Sequence, residues 1–179
     1  TSVLTLFSAI FLIYVAFGAS NLVYSLFYLV LGILAIASAI RYTVGSSAYG
    51  YSGYGDIFVF VFFGLVSTLG VNFLYSKQLD LVLILPAIAI GLLSVGVLNL
   101  NNMRDQASDA KSGKNTVVVK IGAEAAKKYH FFLIIGAMVS VLFFAVLSGF
   151  KFDQYLFLLA YRKMVKGNVI YRVSILFVA

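Results

Sequence analysis

Asp105 and Asp109 stand four residues apart in the most polar stretch of the chain, Asn99-Leu-Asn-Asn-Met-Arg-Asp105-Gln-Ala-Ser-Asp109. On a helix, that spacing puts both carboxylates on one face. Asn102, three residues before Asp105, joins the same stripe, with Asn101 beside it. Two like charges so placed repel each other unless something neutralises them. A hard divalent cation would do so. Mg²⁺ takes oxygen ligands, keeps several waters, and is commonly held by one or two carboxylates together with substrate phosphates. Arg104 is adjacent, and Lys111 and Lys114 follow. Carboxylates beside a basic cluster suit a metal-bridged phosphate, in which the acids hold the metal and the cations touch phosphate oxygens. By itself a carboxylate pair at this spacing also describes an ordinary solvated loop. The two Asn residues at the membrane edge and the turn at Gly113-Lys114 point beyond that.

A second stretch, Arg41 to Asp56, holds four Tyr, four Gly and one acid in 16 residues. It reads either as an interfacial aromatic belt with flexible turns or as an aromatic wall over a cationic centre, since π faces attract cations. Tyr42 and Tyr49 are its candidates for that wall. Asp56 opens the next apolar run, where a carboxylate suits a helix N-terminus and is equally a candidate base.

The elements that carry these loops follow from composition. Of the 179 residues, 63% are hydrophobic and only 11% charged, with a mean hydropathy of +1.05. Soluble domains are about 25% charged, so a soluble domain, a disordered tail and a nucleic-acid-binding module are all excluded. What remains is an all-α polytopic membrane protein whose partner is the lipid bilayer. The net charge of +7 then reports loops on one side of the membrane. There is no Cys, so no disulfide framework exists.

A membrane helix needs about 20 residues. Five spans are expected: about Val3–Phe17, Leu22–Ile40, Ile57–Tyr75, Leu81–Leu98 with a kink at Pro86, and Phe131–Leu147. The apolar runs at 155–160 and 169–179 are too short to cross. The chain therefore reads as one transmembrane domain over residues 1–179 that is incomplete, with residues absent before it, a gap near 160/161 and a truncated end. The loop charges agree. Arg41, Arg104, Lys111, Lys114, Lys120, Lys127 and Lys128 share one side, against Lys77 and Lys151 on the other. A span restored at the gap brings Arg162, Lys163, Lys166 and Arg172 to the same side, which is then cytoplasmic by the positive-inside rule. His130 reads as interfacial and Asn72 as an interhelical hydrogen-bonding residue. A transporter or channel is the competing class, but no charged residue lies deep in any of the five full spans.

The stretch Asn101 to Gly122, running through Asp105, Asp109 and Lys114, resembles the second aspartate-rich motif of the UbiA superfamily of intramembrane prenyltransferases. Tyr42-Thr-Val-Gly45, Tyr49-Gly-Tyr51, Gly53-Tyr-Gly55-Asp56 and Phe62-Phe-Gly64 are more narrowly similar to its 1,4-dihydroxy-2-naphthoate polyprenyltransferases of menaquinone synthesis. The resemblance implies a bundle of nine helices around a central cavity, of which about five full and two partial helices are here, in a bacterial cell (inner) membrane. It implies transfer of a polyprenyl group from polyprenyl diphosphate to 1,4-dihydroxy-2-naphthoate, with release of diphosphate and CO₂; an acceptor such as 4-hydroxybenzoate or a lipid alcohol is the variant within the superfamily. It further implies Mg²⁺ on Asp105 and Asp109, diphosphate contacts from Asn102, Arg104, Lys111 and Lys114, and Tyr42, Tyr49 and Asp56 in catalysis. The family's first aspartate-rich motif has no counterpart in this chain.

Overall fold

The computed structural model describes residues 2–18, 21–43 and 48–159. Among them every regular element is helical: α1 (Ser2–Phe17), α2 (Leu22–Thr43), α3 (Gly55–Ser76), α4 (Leu81–Arg104), α5 (Gln106–Lys111), α6 (Val117–Ile121) and α7 (Ala123–Leu147). Short 3₁₀ turns lie at Tyr49–Tyr51 and Phe152–Phe157. The expected gap at 160/161 and the basic residues Arg162, Lys163, Lys166 and Arg172 lie outside the described residues.

α2, α3, α4 and α7 are each long and apolar enough to cross a membrane, and α1 is a shorter apolar helix. The protein is an all-α membrane helix bundle. The five expected spans coincide with these helices, but two limits move. α4 continues past Leu98 to Arg104, and α7 begins at Ala123 rather than Phe131. The added turns of α7 are polar, and hydropathy alone assigns them to a loop. They are helical because Glu124 and Lys127 form an i,i+3 ion pair of 2.8 Å while Ala126, His130 and Leu133 turn inward. His130 is thus buried. Pro86 does not interrupt a helix interior. α4 opens with a 3₁₀ turn, Leu81–Leu83, and its α-helical part starts at Ile84. Pro86 therefore sits in the first α-helical turn, where a missing N–H costs little. Asn72 bonds within its own helix end, to Ser76 Oγ and the Gln78 carbonyl, rather than across helices.

α4 is the hub, packing along both α3 and α7. Its buried positions are mostly small residues: Ala87 and Gly91 lie against α3, Gly96 lies against His130 and Ile134 of α7, and α7 buries Ala126, Ala137 and Ala145. Lipid offers no hydrophobic drive between helices, so close backbone approach and dispersion hold such seams. The crossing of α3 and α4 shows this most sharply: a Cβ added to Gly64 would lie 2.6 Å from Gly91 Cα. At that crossing α3 is locally a π-helix, over Phe60–Val66. α1 and α2 pack loosely by comparison. Phe17 meets Tyr24, Tyr28 and Phe73, and the Tyr28 hydroxyl donates to the Gly70 carbonyl at 2.7 Å. Between α2 and α3 an apolar cleft of about 530 Å³ is lined by residues such as Phe27, Leu31, Leu65 and Leu69.

Candidate active site

The polar residues gather at one end of the bundle. α4 runs to Arg104, and a single non-helical residue, Asp105, joins it to α5. The i→i−4 ladder nevertheless passes through the joint, with Asp105 N–H on the Asn101 carbonyl at 3.0 Å and Asp109 N–H on the Asp105 carbonyl at 2.8 Å. The expected one-turn spacing of the two acids therefore holds. Their surroundings differ. The Asp105 side chain is 42% exposed and takes a bidentate pair from Arg104, with Nε and Nη2 each 2.8 Å from a carboxylate oxygen. That hydrogen-bonded guanidinium holds the Asp105 carboxyl below the usual carboxylate range. The Asp109 side chain is only 11% exposed and meets Lys114 Nζ at 3.2 Å. Lys114 can reach because the chain turns back at Gly113, with φ +74°, and Lys114 N–H closes on the Asp109 carbonyl at 2.9 Å. Asn102 is buried and Lys111 is exposed. Arg104 and Lys114 thus take the neutralising part that the spacing alone assigns to a cation.

Among the described residues no group of three or more His, Cys, Asp or Glu side chains comes together. Asp105 and Asp109 offer an all-oxygen pair, which fits a hard cation that completes its shell with water and phosphate oxygens. The donor set is one carboxylate pair, and Mg²⁺ is commonly held by one or two carboxylates.

The tyrosine-rich loop docks onto this one. Asn115 N–H donates to the Tyr51 carbonyl at 2.8 Å, and Lys120 Nζ donates to the Ser52 carbonyl at 2.7 Å. Gly53, at φ +84°, lies so close that an added Cβ would stand 2.8 Å from Lys120 Nζ and 2.9 Å from the Asn115 carbonyl oxygen. The loops therefore form one surface. Between them lies a polar notch of about 10 Å³, whose walls include Tyr42, Asp56, Asn102 and Thr116. It has room for about one oxygen atom of a water or hydroxyl.

Tyr42 and Tyr49 contact edge to face, with ring centroids 5.5 Å apart, and Tyr49 stacks on Phe58 at 3.9 Å. The Tyr49 hydroxyl donates to the Ser38 carbonyl at 2.6 Å. Burial, with Tyr42 adding to it, keeps that hydroxyl above the ordinary tyrosine value, so it stays a donor. Asp56 sits in the first turn of α3, as expected. It is buried, and its carboxylate accepts a 2.9 Å hydrogen bond from the Tyr129 hydroxyl.

Sequence reasoning missed Tyr129, Lys120, Thr116 and Asn99. Asn99 is buried and donates from Nδ2 to the Ala126 carbonyl at 3.2 Å, joining α4 to α7 just below the site. Thr116 accepts from Val119 N–H as the N-cap of α6. Tyr129 was hidden in the basic run Lys127-Lys128-Tyr129-His130. The helical phase set by Leu133 and Ala137, extended back one turn, reaches Tyr129.

With this geometry in view, comparison with known proteins decides the family. Residues 1–164 match the UbiA prenyltransferase family. The chain belongs to that family. It is 48% identical over 139 residues to proteins named 1,4-dihydroxy-2-naphthoate octaprenyltransferase from Haemophilus influenzae and from Escherichia coli, covering 78% of this chain and 45% of each relative. A protein of the same name from Mycobacterium tuberculosis is 45% identical over 91 residues, 51% of this chain and 31% of that one. The chain thus spans less than half the length of these relatives. No solved structure matches. The UbiA member described here carries Asp105, Asp109, Lys114 and the docked tyrosine loop at one end of its bundle.

Proposed function

We propose that this chain is part of a prenyltransferase that moves a polyprenyl group from its diphosphate to 1,4-dihydroxy-2-naphthoate, releasing diphosphate and CO₂, in menaquinone synthesis. The reading rests on one observation above the rest: two acids one turn apart, each already matched to a cation, precede a segment that is hydrogen-bonded to the tyrosine loop beside a buried carboxylate. The names of the relatives supply the substrate class.

Asp105 and Asp109 would hold Mg²⁺, which when bound supplies Lewis-acid assistance to the departing diphosphate. Arg104 and Lys114 would turn from the carboxylates to phosphate oxygens, joined by Lys111 from α5 and by the Asn102 amide. Charge-assisted contacts of this kind are short and roughly twice as strong as neutral ones. When the prenyl C–O bond breaks, its electron pair leaves with the diphosphate and an allylic cation remains. The edge-to-face rings of Tyr42 and Tyr49 present π density to such a cation. The bundle keeps water from it, and the apolar cleft between α2 and α3 gives the lipid tail a place to lie. The basic residues at this end support an orientation with the site on the cytoplasmic side of a bacterial cell membrane.

The test is an assay of the full-length protein in detergent, with 1,4-dihydroxy-2-naphthoate and a polyprenyl diphosphate, with and without Mg²⁺. Prenylated product that needs both the metal and Asp109 supports the reading. Transfer that is unchanged in Asp105→Asn and Asp109→Asn removes the metal assignment, and no transfer at all removes the function.

A further inference from the structure

We infer that Tyr129 and Asp56 form the subsite that recognises a ring hydroxyl of the aromatic acceptor, with Asp56 making the contact and Tyr129 acting as a positioning residue. The inference rests on the proposed transfer reaction for the identity of the acceptor, but its geometry stands on its own.

Tyr129 comes from α7 and Asp56 from the first turn of α3, 73 positions earlier, and they meet at 2.9 Å. A buried carboxylate is costly unless it is hydrogen-bonded. Tyr129 supplies one such bond and fixes the carboxylate plane, while a carboxylate can accept more than one. The remaining capacity opens on the notch shared with Tyr42, Asn102 and Thr116, whose volume of about 10 Å³ admits one oxygen rather than a ring. As a carboxylate, Asp56 can only accept, so its partner must be a donor. A hydroxyl qualifies, whereas a phosphate or a second carboxylate is repelled. The cations that would draw phosphate, Arg104 and Lys114, sit on the other loop beside Asp105 and Asp109. The site thus separates a hydroxyl-reading corner from a phosphate-reading corner, and Tyr42 borders the former. A phenolic hydroxyl that donates to a carboxylate releases electron density into its ring, which is what an incoming cation requires of the acceptor.

Such a corner makes specificity, because a site built to bind a hydroxyl leaves its own polar groups unpaired when that hydroxyl is missing. The test therefore measures discrimination in full-length protein in detergent. Titration calorimetry compares 1,4-dihydroxy-2-naphthoate with 1-hydroxy-2-naphthoate and 4-hydroxy-2-naphthoate, each lacking one hydroxyl. The wild type is expected to prefer the dihydroxy compound by at least about tenfold over one of them. In Tyr129→Phe that preference falls about tenfold, and Asp56→Asn does the same. The double variant is no worse than Asp56→Asn alone, since Tyr129 acts through Asp56. In the transfer assay, the KM for polyprenyl diphosphate stays within about twofold. Equal weakening of all three ligands in Tyr129→Phe, a lowered melting temperature with discrimination intact, or additive single-variant effects would each overturn the inference. Because calorimetry needs no turnover, wild-type protein that binds with discrimination but transfers nothing would defeat the proposed reaction and leave this subsite standing. Transfer with no hydroxyl discrimination would do the reverse.

Discussion

The α3–α4–α7 side of the molecule and the α1–α2 hairpin use the same apolar residues to opposite ends. On α4 and α7 the buried positions are mostly Gly, Ala and Val, with Asn99, Asn102, His130, Leu133 and Ser140 among them, and backbones approach closely. On α1 and α2 the residues are larger, and most of them, such as Phe7, Phe11, Val23 and Phe27, are exposed. Small residues make a rigid frame because each seam admits one arrangement. Large residues facing outward make a surface for lipid or other helices. The frame is where precise chemistry can be held: Asp56 on α3, Asn102 on α4 and Tyr129 on α7 all sit at its loop end.

If the contrast is real, damage should fall off in a set order. Chelation by EDTA, or Asp109→Asn, should lower prenyl transfer about a thousandfold in membranes that still contain normal amounts of protein. That is the several kcal/mol expected when charge stabilisation of a leaving group is lost. Next, Gly64→Ala should destabilise the frame by about 1–3 kcal/mol, because its methyl would collide with Gly91 backbone rather than a movable side chain. A lowered unfolding temperature in detergent would report it. Gly53→Ala tests the join between the loops. Its left-handed φ and its contact with Asn115 oxygen should cost about 1–2 kcal/mol locally. Turnover should fall severalfold while the unfolding temperature moves little. At the bottom of the scale, Val30→Ala on the outward face of α2 should change stability by no more than about 0.5 kcal/mol. A larger effect there would mean that a further helix covers this face, and the comparison would have to be redrawn.

Much of this order was legible in the sequence, and the exceptions have physical causes. Helix number and placement followed from hydropathy, which reports transfer into lipid and little else. The acid pair was legible because spacing of four has one meaning on a helix. The start of α7 was not, because hydropathy marks where a helix enters the bilayer and says nothing of helical turns that stand above it. Tyr129 was overlooked for that reason. The clasp between the loops was equally hidden. Two of its bonds end on main-chain carbonyls of Tyr51 and Ser52, and every residue has one of those. The ion pairs of Asp105 and Asp109 escaped notice because Arg104 and Lys114 were read as serving a ligand, and the same cations first serve the protein.

The π-helical segment at Phe60–Val66 carries a consequence for the molecule's tolerance of change. A wider turn accommodates one residue more than the α-helix around it, so the two halves of α3 are rotated relative to an unbroken helix. One residue corresponds to about 100° of azimuth. Removing a single amino acid from this segment would let it close into ordinary α-turns with the two halves of α3 still in phase, whereas removing one from the regular turn between Asp56 and Phe60 would swing Asp56 by about 100° away from Tyr129. A deletion that hydropathy cannot detect would thus disconnect the acid from its partner on α7 only where it falls outside the wider turn.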